Sequence, residues 1–189
     1  MFNKLVVAML PLVPRPIVRR ISMRYIAGDT LADAMATART LSREEGVKST
    51  VDVLGEFVEN RDQALKDKDE SSAVLDAIVA EDLVGAAGLS IKPTSLGLGI
   101  DLDFAYQNIR ELALKAREAG IFMRIDMENT PYTDATLKVY RKLREDGFDR
   151  VGIVLQAMLR RTEQDIRDHL EYKPSIRLCK GIYKEAADV

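Results

Sequence analysis

Cysteine and histidine are almost missing from this chain: Cys179 and His169 are the sole examples among 189 residues. A single cysteine excludes an internal disulfide and fits a reducing compartment, so the expected location is cytoplasmic. A single histidine leaves no partners for a zinc site. The polar stretch Asp165–Glu171 around it places His169 at the surface. A dominant charge is also missing, and a net charge of −2 gives no electrostatic case for nucleic acid. Leu5–Val13 is apolar but is interrupted by Pro11 and followed by Pro14. It falls short of the ~20 apolar residues that span a bilayer. It also lacks the longer core and small-residue cleavage site of a secretory signal. Arg15, Arg19 and Arg20 follow it directly. Two readings of this segment stay open: an interfacial helix giving peripheral contact at the inner face of the cell membrane, or an amphipathic helix packed on the protein's own body.

What is present describes a globular chain. Hydrophobic residues make up 47% and charged residues 31%, with length enough for one sizeable core. Asp29-Thr30 opens a helix whose apolar residues, Leu31, Ala34, Met35, Ala38 and Leu41, recur at helical spacing until Gly46. Short β-branched or apolar runs follow at Val51–Leu54, Leu89–Lys92, Ile121–Ile125, Val151–Leu155 and Ser175–Leu178. Between them lie helical stretches over Arg61–Ile78, Asp101–Ala119, Thr133–Glu145 and Thr162–Leu170. Strict alternation of strand and helix predicts an α/β fold with a parallel sheet. Residues 1–48 form an N-terminal helical segment and residues 49–189 the sheet-bearing part.

No Gly-x-Gly-x-x-Gly follows the first strand and no Walker loop is present, so the two common phosphate-binding turns are not supported. The glycines of Leu96-Gly97-Leu98-Gly99 read as a loop-to-helix turn. Every strand instead ends in polar groups. Asp52 and Glu56 flank the first end, Lys92 the second, Asp126 and Glu128 the third, Gln156 the fourth, and Arg177, Lys180 and Tyr183 the fifth. A doubly wound sheet gathers its site at one switch point, whereas a (βα)8 barrel brings all strand ends to one axis. Polar groups at every end favour the barrel. A barrel takes about 250 residues, so five strands are its first five βα units, and the chain is expected to be cut short after the fifth strand. Period two puts Asp126 on the face of Arg124, and Arg177 on that of Cys179. Charges inside a barrel are costly unless they meet one another or a charged ligand. Cations and acids in one cup suit a zwitterionic or anionic ligand.

Six runs in order carry a family resemblance. They are Tyr25-Ile26-Ala27-Gly28, Asp52-Val53-Leu54-Gly55-Glu56, Ser90-Ile91-Lys92 with Thr94–Leu98, Arg124-Ile125-Asp126-Met127-Glu128, Val151–Gln156, and Arg177-Leu178-Cys179-Lys180-Gly181-Ile182-Tyr183. The chain resembles flavin-dependent proline dehydrogenase of the monofunctional bacterial type. The resemblance implies a distorted (βα)8 barrel that holds FAD and oxidises L-proline to Δ1-pyrroline-5-carboxylate, with electrons passed to a membrane quinone. It implies a downstream pyrroline-5-carboxylate dehydrogenase as a partner. Carried over by position, Asp126 and Arg177 are catalytic-site residues, Arg177 at flavin N5. Lys92 contacts the proline carboxylate, Glu56 faces the substrate entrance, and Asp52 is a weaker transfer. Met127, Gln156, Lys180, Gly181 and Ile182 touch or hold the cofactor. Departures stand at Pro93 for a usual Leu, Met158 for a usual Tyr and Ile182 for a usual Ala. The family's last three strands and its final helix, with paired arginines for the carboxylate, have no counterpart here. The alternative to the enzyme is therefore an inactive truncated barrel fragment or an interaction module without bound FAD.

Overall fold

The computed structural model describes residues 26–186 together with Pro14, Ile17, Val18 and Ile21. The apolar segment Leu5–Val13, the arginines behind it, Tyr25 and residues 187–189 lie outside the described residues. In chain order the elements are α1 (Leu31–Glu45), β1 (Ser49–Asp52), α2 (Arg61–Ala80), β2 (Ala87–Ile91), α3 (Leu102–Glu118), β3 (Met123–Ile125), α4 (Thr133–Glu145), β4 (Val151–Gln156), α5 (Thr162–Arg167) and β5 (Ser175–Cys179). Short 3-10 turns at Pro93–Leu96, Thr130–Tyr132 and Leu170–Tyr172 lie between them. Among the described residues no helix is long and apolar enough to cross a membrane.

Helix starts follow local chemistry. Thr30 accepts from the Asp33 N–H at 3.2 Å while Asp33 accepts from the Thr30 N–H at 3.1 Å, a reciprocal cap on α1. Asn60 caps α2 through the Gln63 N–H at 3.0 Å, and Asp101 caps α3 through the Phe104 N–H at 2.7 Å. Gly46 ends α1 in the left-handed conformation, with φ 64°.

The sheet order is β1-β2-β3-β4-β5 and every pairing is parallel. Each strand lies beside its predecessor and the order never reverses, so the barrel expectation holds against the doubly wound one. Register and period two divide the sheet into two faces. Leu89, Ile91, Met123, Ile125, Ile153 and Leu155 point outward and are buried under the helices, where they form the core. The opposite face carries Asp52, Ser90, Arg124, Gly152 and Ser175 in one register row. The sheet curls around this polar face: Arg177 of β5 donates through Nη2 to Thr50 Oγ1 of β1 at 2.9 Å, across three intervening strands.

Some boundaries move. β1 covers Ser49–Asp52, not Val51–Leu54, because its pairing with β2 runs from Ser49 with Ala87 to Asp52 with Ser90 and ends there. Ile121 is tied to the end of α3 through Ala116 O at 2.8 Å and leaves β3 with three residues. α5 stops at Arg167, and Leu170 falls in a separate turn. His169 is not at the surface: it is 1% exposed, among Tyr140 and Tyr172. Its Nε2 meets Arg141 Nη1 at 3.1 Å and its Nδ1 meets Asp165 O at 2.6 Å. Arg141 can only donate, so Nε2 accepts and the proton sits on Nδ1.

Candidate active site

The five C-terminal strand ends enclose a cleft of about 320 Å³. Of the nine residues given a site role by the resemblance, Glu56, Lys92, Asp126, Met127, Gln156, Arg177, Gly181 and Ile182 line it. Lys180 does not: its side chain is exposed, and its backbone carbonyl accepts from Met158 N–H at 3.1 Å.

Charges inside the cup meet one another. Lys92 is ion-paired with Asp52, both largely shielded from solvent. Burial still pushes the Asp52 carboxyl up, outweighing the pull of Lys92, and its Oδ1 is buried without a partner. Asp126 accepts from Ser90 Oγ at 2.9 Å and faces Arg177 Nη1 at 3.5 Å. Arg177 therefore bridges β1, through Thr50, and the end of β3. Glu56 accepts from the Tyr183 hydroxyl at 3.3 Å, which closes one side. Desolvation and the neighbouring carboxylates Glu56 and Glu128 raise Tyr183, so it keeps its phenolic proton.

Two carboxylate clamps hold the rim. Glu128, 1% exposed, receives the Thr94 N–H at 2.9 Å and the Thr94 hydroxyl. Glu185 receives the Thr130 N–H at 2.9 Å and the Thr130 hydroxyl. Each ties the loop after one strand to a later strand end. The sequence marked Glu128 only as a polar strand end, two residues beyond Asp126 and hence on the same face, and it gave no signal for Glu185. The Glu128 backbone carbonyl in turn accepts from Gln156 Nε2 at 2.8 Å. That bond fixes the amide of Gln156, which is 3% exposed, and leaves its Oε1 buried without a partner. An orphaned buried acceptor beside a cleft is where a ligand N–H would be received.

Gly181 has φ 103°, and a Cβ there would stand 2.5 Å from Met158 Sδ. The turn after β5 thus passes tightly over the β4 loop and presents Ile182, 90% exposed, to the opening. Cations, an unfilled acceptor and an apolar wall from Met127 and Val154 can hold an anionic or zwitterionic small molecule beside a flat polar ring.

Comparison with known proteins bears on the fold and the family. Solved structures share the fold: proline utilization A from Bdellovibrio bacteriovorus superposes with a TM-score of 0.76 at 21% identity, over 85% of this chain and 20% of that one. In sequence, proline dehydrogenase 1 of Bacillus subtilis is 36% identical over 166 residues, 88% of this chain and 54% of the relative. Proline dehydrogenase of Deinococcus radiodurans is 34% identical over 170 residues, again 88% and 54%. The chain thus spans about half the length of the curated relatives it matches. The proline dehydrogenase family profile matches residues 34–186, well over half of the sequence. The chain belongs to the proline dehydrogenase family.

Proposed function

We propose that this chain supplies the substrate-facing and flavin-facing part of an FAD-dependent proline dehydrogenase, which converts L-proline to Δ1-pyrroline-5-carboxylate and passes electrons to a membrane quinone. The observation that carries the proposal is the cleft itself: two ion pairs, Lys92 with Asp52 and Arg177 with Asp126, beside the unfilled Gln156 oxygen. The residues fit the cofactor. Gln156 Oε1 would accept from a ring N–H, Met127 and Gly181 would lie against the ring, and Lys180 would contribute through its backbone. When bound, a flavin supplies the acceptor for the hydride leaving the carbon next to the proline nitrogen.

The rest falls to this chain's own side chains. Lys92 would orient the proline carboxylate by a charge-assisted contact, and Asp52 holds the ammonium in place beforehand. Arg177 would set a fixed positive charge where negative charge gathers. Asp126 and Thr50 fix its guanidinium from two sides, so little reorganisation is needed. Glu56, held by Tyr183, would border the substrate entrance.

The test is a titration of the FAD-supplemented chain with L-proline and with tetrahydrofuran-2-carboxylate, which lacks the amine, followed by flavin fluorescence. Saturable binding of both is expected. Lys92→Ala should weaken both by about tenfold, the loss of roughly 1.4 kcal/mol. A Lys92→Ala chain that binds the analogue as tightly as the parent would make Lys92 structural. A parent chain that shows no saturable response to either compound would sink the assignment.

A further inference from the structure

At the opposite, N-terminal end of the strands lies a second cavity, of about 450 Å³. Its wall carries four cations, Lys48, Arg124, Arg150 and Arg177, and no carboxylate. Glycine makes the space. A Cβ at Gly88 on β2 would stand 2.7 Å from Phe122 O, and one at Gly152 on β4 would stand 2.5 Å from Arg124 Nη1. With no side chain at either position, Arg124 lies flat across the floor, its guanidinium 4.7 Å from the Phe122 ring centre.

Arg124 is held but not exhausted. Nη1 donates to Ser175 O at 2.6 Å and Ile153 O at 3.0 Å, and Nη2 donates to Ser175 Oγ at 3.1 Å. A guanidinium has five N–H donors. Three are used, and Nε is buried without a partner. Of the remaining pair, one Nη2–H is unused, and the buried Nε–H would join it, after a small shift of the guanidinium, in the fork that receives oxyanions in bidentate fashion. Around it the charge is unbalanced. Burial and the nearby Arg177 press against the charged form of Arg124, ahead of the opposing pull of Asp126. The carboxylate that serves Arg177, Asp126, lines the upper cleft and not this cavity. Lys48 and Arg150, at the mouth, have no ion-pair partner among the described residues. Clustered like charges with unused donors in a partly desolvated cavity are relieved by an anion.

We propose that this lower cavity is a binding site for a small oxyanion of the phosphate or sulfate kind, received by the free side of Arg124, with Lys48 and Arg150 at its mouth and Arg177 above. It does not depend on the function proposed above, because only Arg177 belongs to both cavities.

The test titrates potassium phosphate and potassium sulfate into the 189-residue chain by isothermal calorimetry, with potassium chloride at matched ionic strength as reference. Saturable uptake of phosphate and sulfate is expected, with a melting midpoint that rises in either and not in chloride. Arg124→Gln should abolish the uptake. Because Arg124 also holds Ser175, the paired change Lys48→Gln with Arg150→Gln is the second arm. It should weaken phosphate binding at least tenfold while leaving the midpoint in chloride in place. An identical midpoint rise in chloride would reduce the effect to general screening and overturn the site. So would a rim variant that binds phosphate like the parent.

Discussion

At the scale of single residues, the polar interior costs stability in a way that pH reveals. Burial raises the Glu128 carboxyl above the usual carboxylate range, ahead of the lowering effect of the two Thr94 donors. The folded state then holds this proton more tightly than the unfolded chain. Between the ordinary value and the raised one it binds more protons, so stability falls as pH rises through that window. Above the raised value the penalty is fully present. Asp52, raised by burial despite Lys92, adds a contribution of the same sign. Glu128→Gln keeps an oxygen for the Thr94 N–H and removes the buried charge. The difference in stability, variant minus parent, should therefore grow between pH 4 and pH 8. It should grow by about 1.4 kcal/mol for each factor of ten by which folding tightens the hold on that proton. Thermal melts across that range measure it. A difference that stays flat with pH would show that Glu128 is as easily ionised folded as unfolded.

At the scale of elements, the loops over the cleft are held by carboxylate clamps, and one of them fastens the turn after β5. Glu185 grips Thr130 by backbone and hydroxyl, and Ala157 N–H donates to Cys179 O at 2.7 Å beneath it. Glu185→Ala should free the turn without touching the core. Trypsin cleavage after Lys180 and Lys184 is expected to accelerate several-fold while the melting midpoint moves by a degree or two, as for a locally opening unit. Unchanged cleavage would mean that Gly181 against Met158 alone holds the turn. The same elements show what the chain reveals locally. The cap pair Thr30 and Asp33, the caps Asn60 and Asp101, and the stop at Gly46 depend on neighbours three or four residues away, so the helices α1, α2 and α3 were legible to within two residues. Strand ends depend on a partner strand, which sequence pattern does not show, and β1 was misplaced by two residues. The clamps join residues 34 and 55 apart, beyond any local pattern. His169 was misread because Asp165–Glu171 is polar, while the aromatic ring that buries it, Tyr140, comes from α4. The cleft residues were legible because alternation places Asp126, Arg177, Lys92 and Gln156 on one face at strand ends; Lys180, at the turn, follows no such rule.

At the scale of the whole molecule, the five-stranded parallel sheet has two edges, β1 and β5, each presenting backbone groups without a partner strand among the described residues. Apolar side chains cluster near them: Leu54 beyond β1 is 91% exposed, Leu178 on β5 is 58% exposed and Ile182 is 90% exposed. The Arg177 bond to Thr50 draws the edges together inside but leaves their outer rims open. Such a rim is a template for another sheet, so the 189-residue chain should associate as concentration rises. The same openness bears on chemistry. An ion pair worth about 4 kcal/mol near a protein surface is worth about 1 kcal/mol in water, and the Arg177–Asp126 pair is only partly shielded, at 37% and 23% side-chain exposure. Binding of a carboxylate needs one good contact, but turnover needs the full field of a closed cup. Proline-dependent reduction of a soluble quinone by this chain with added FAD should therefore stay at background even where the analogue binds. Sedimentation velocity and a quinone assay on one preparation decide it. A chain that stays monomeric at high concentration and turns over proline would show that five strands close the site on their own.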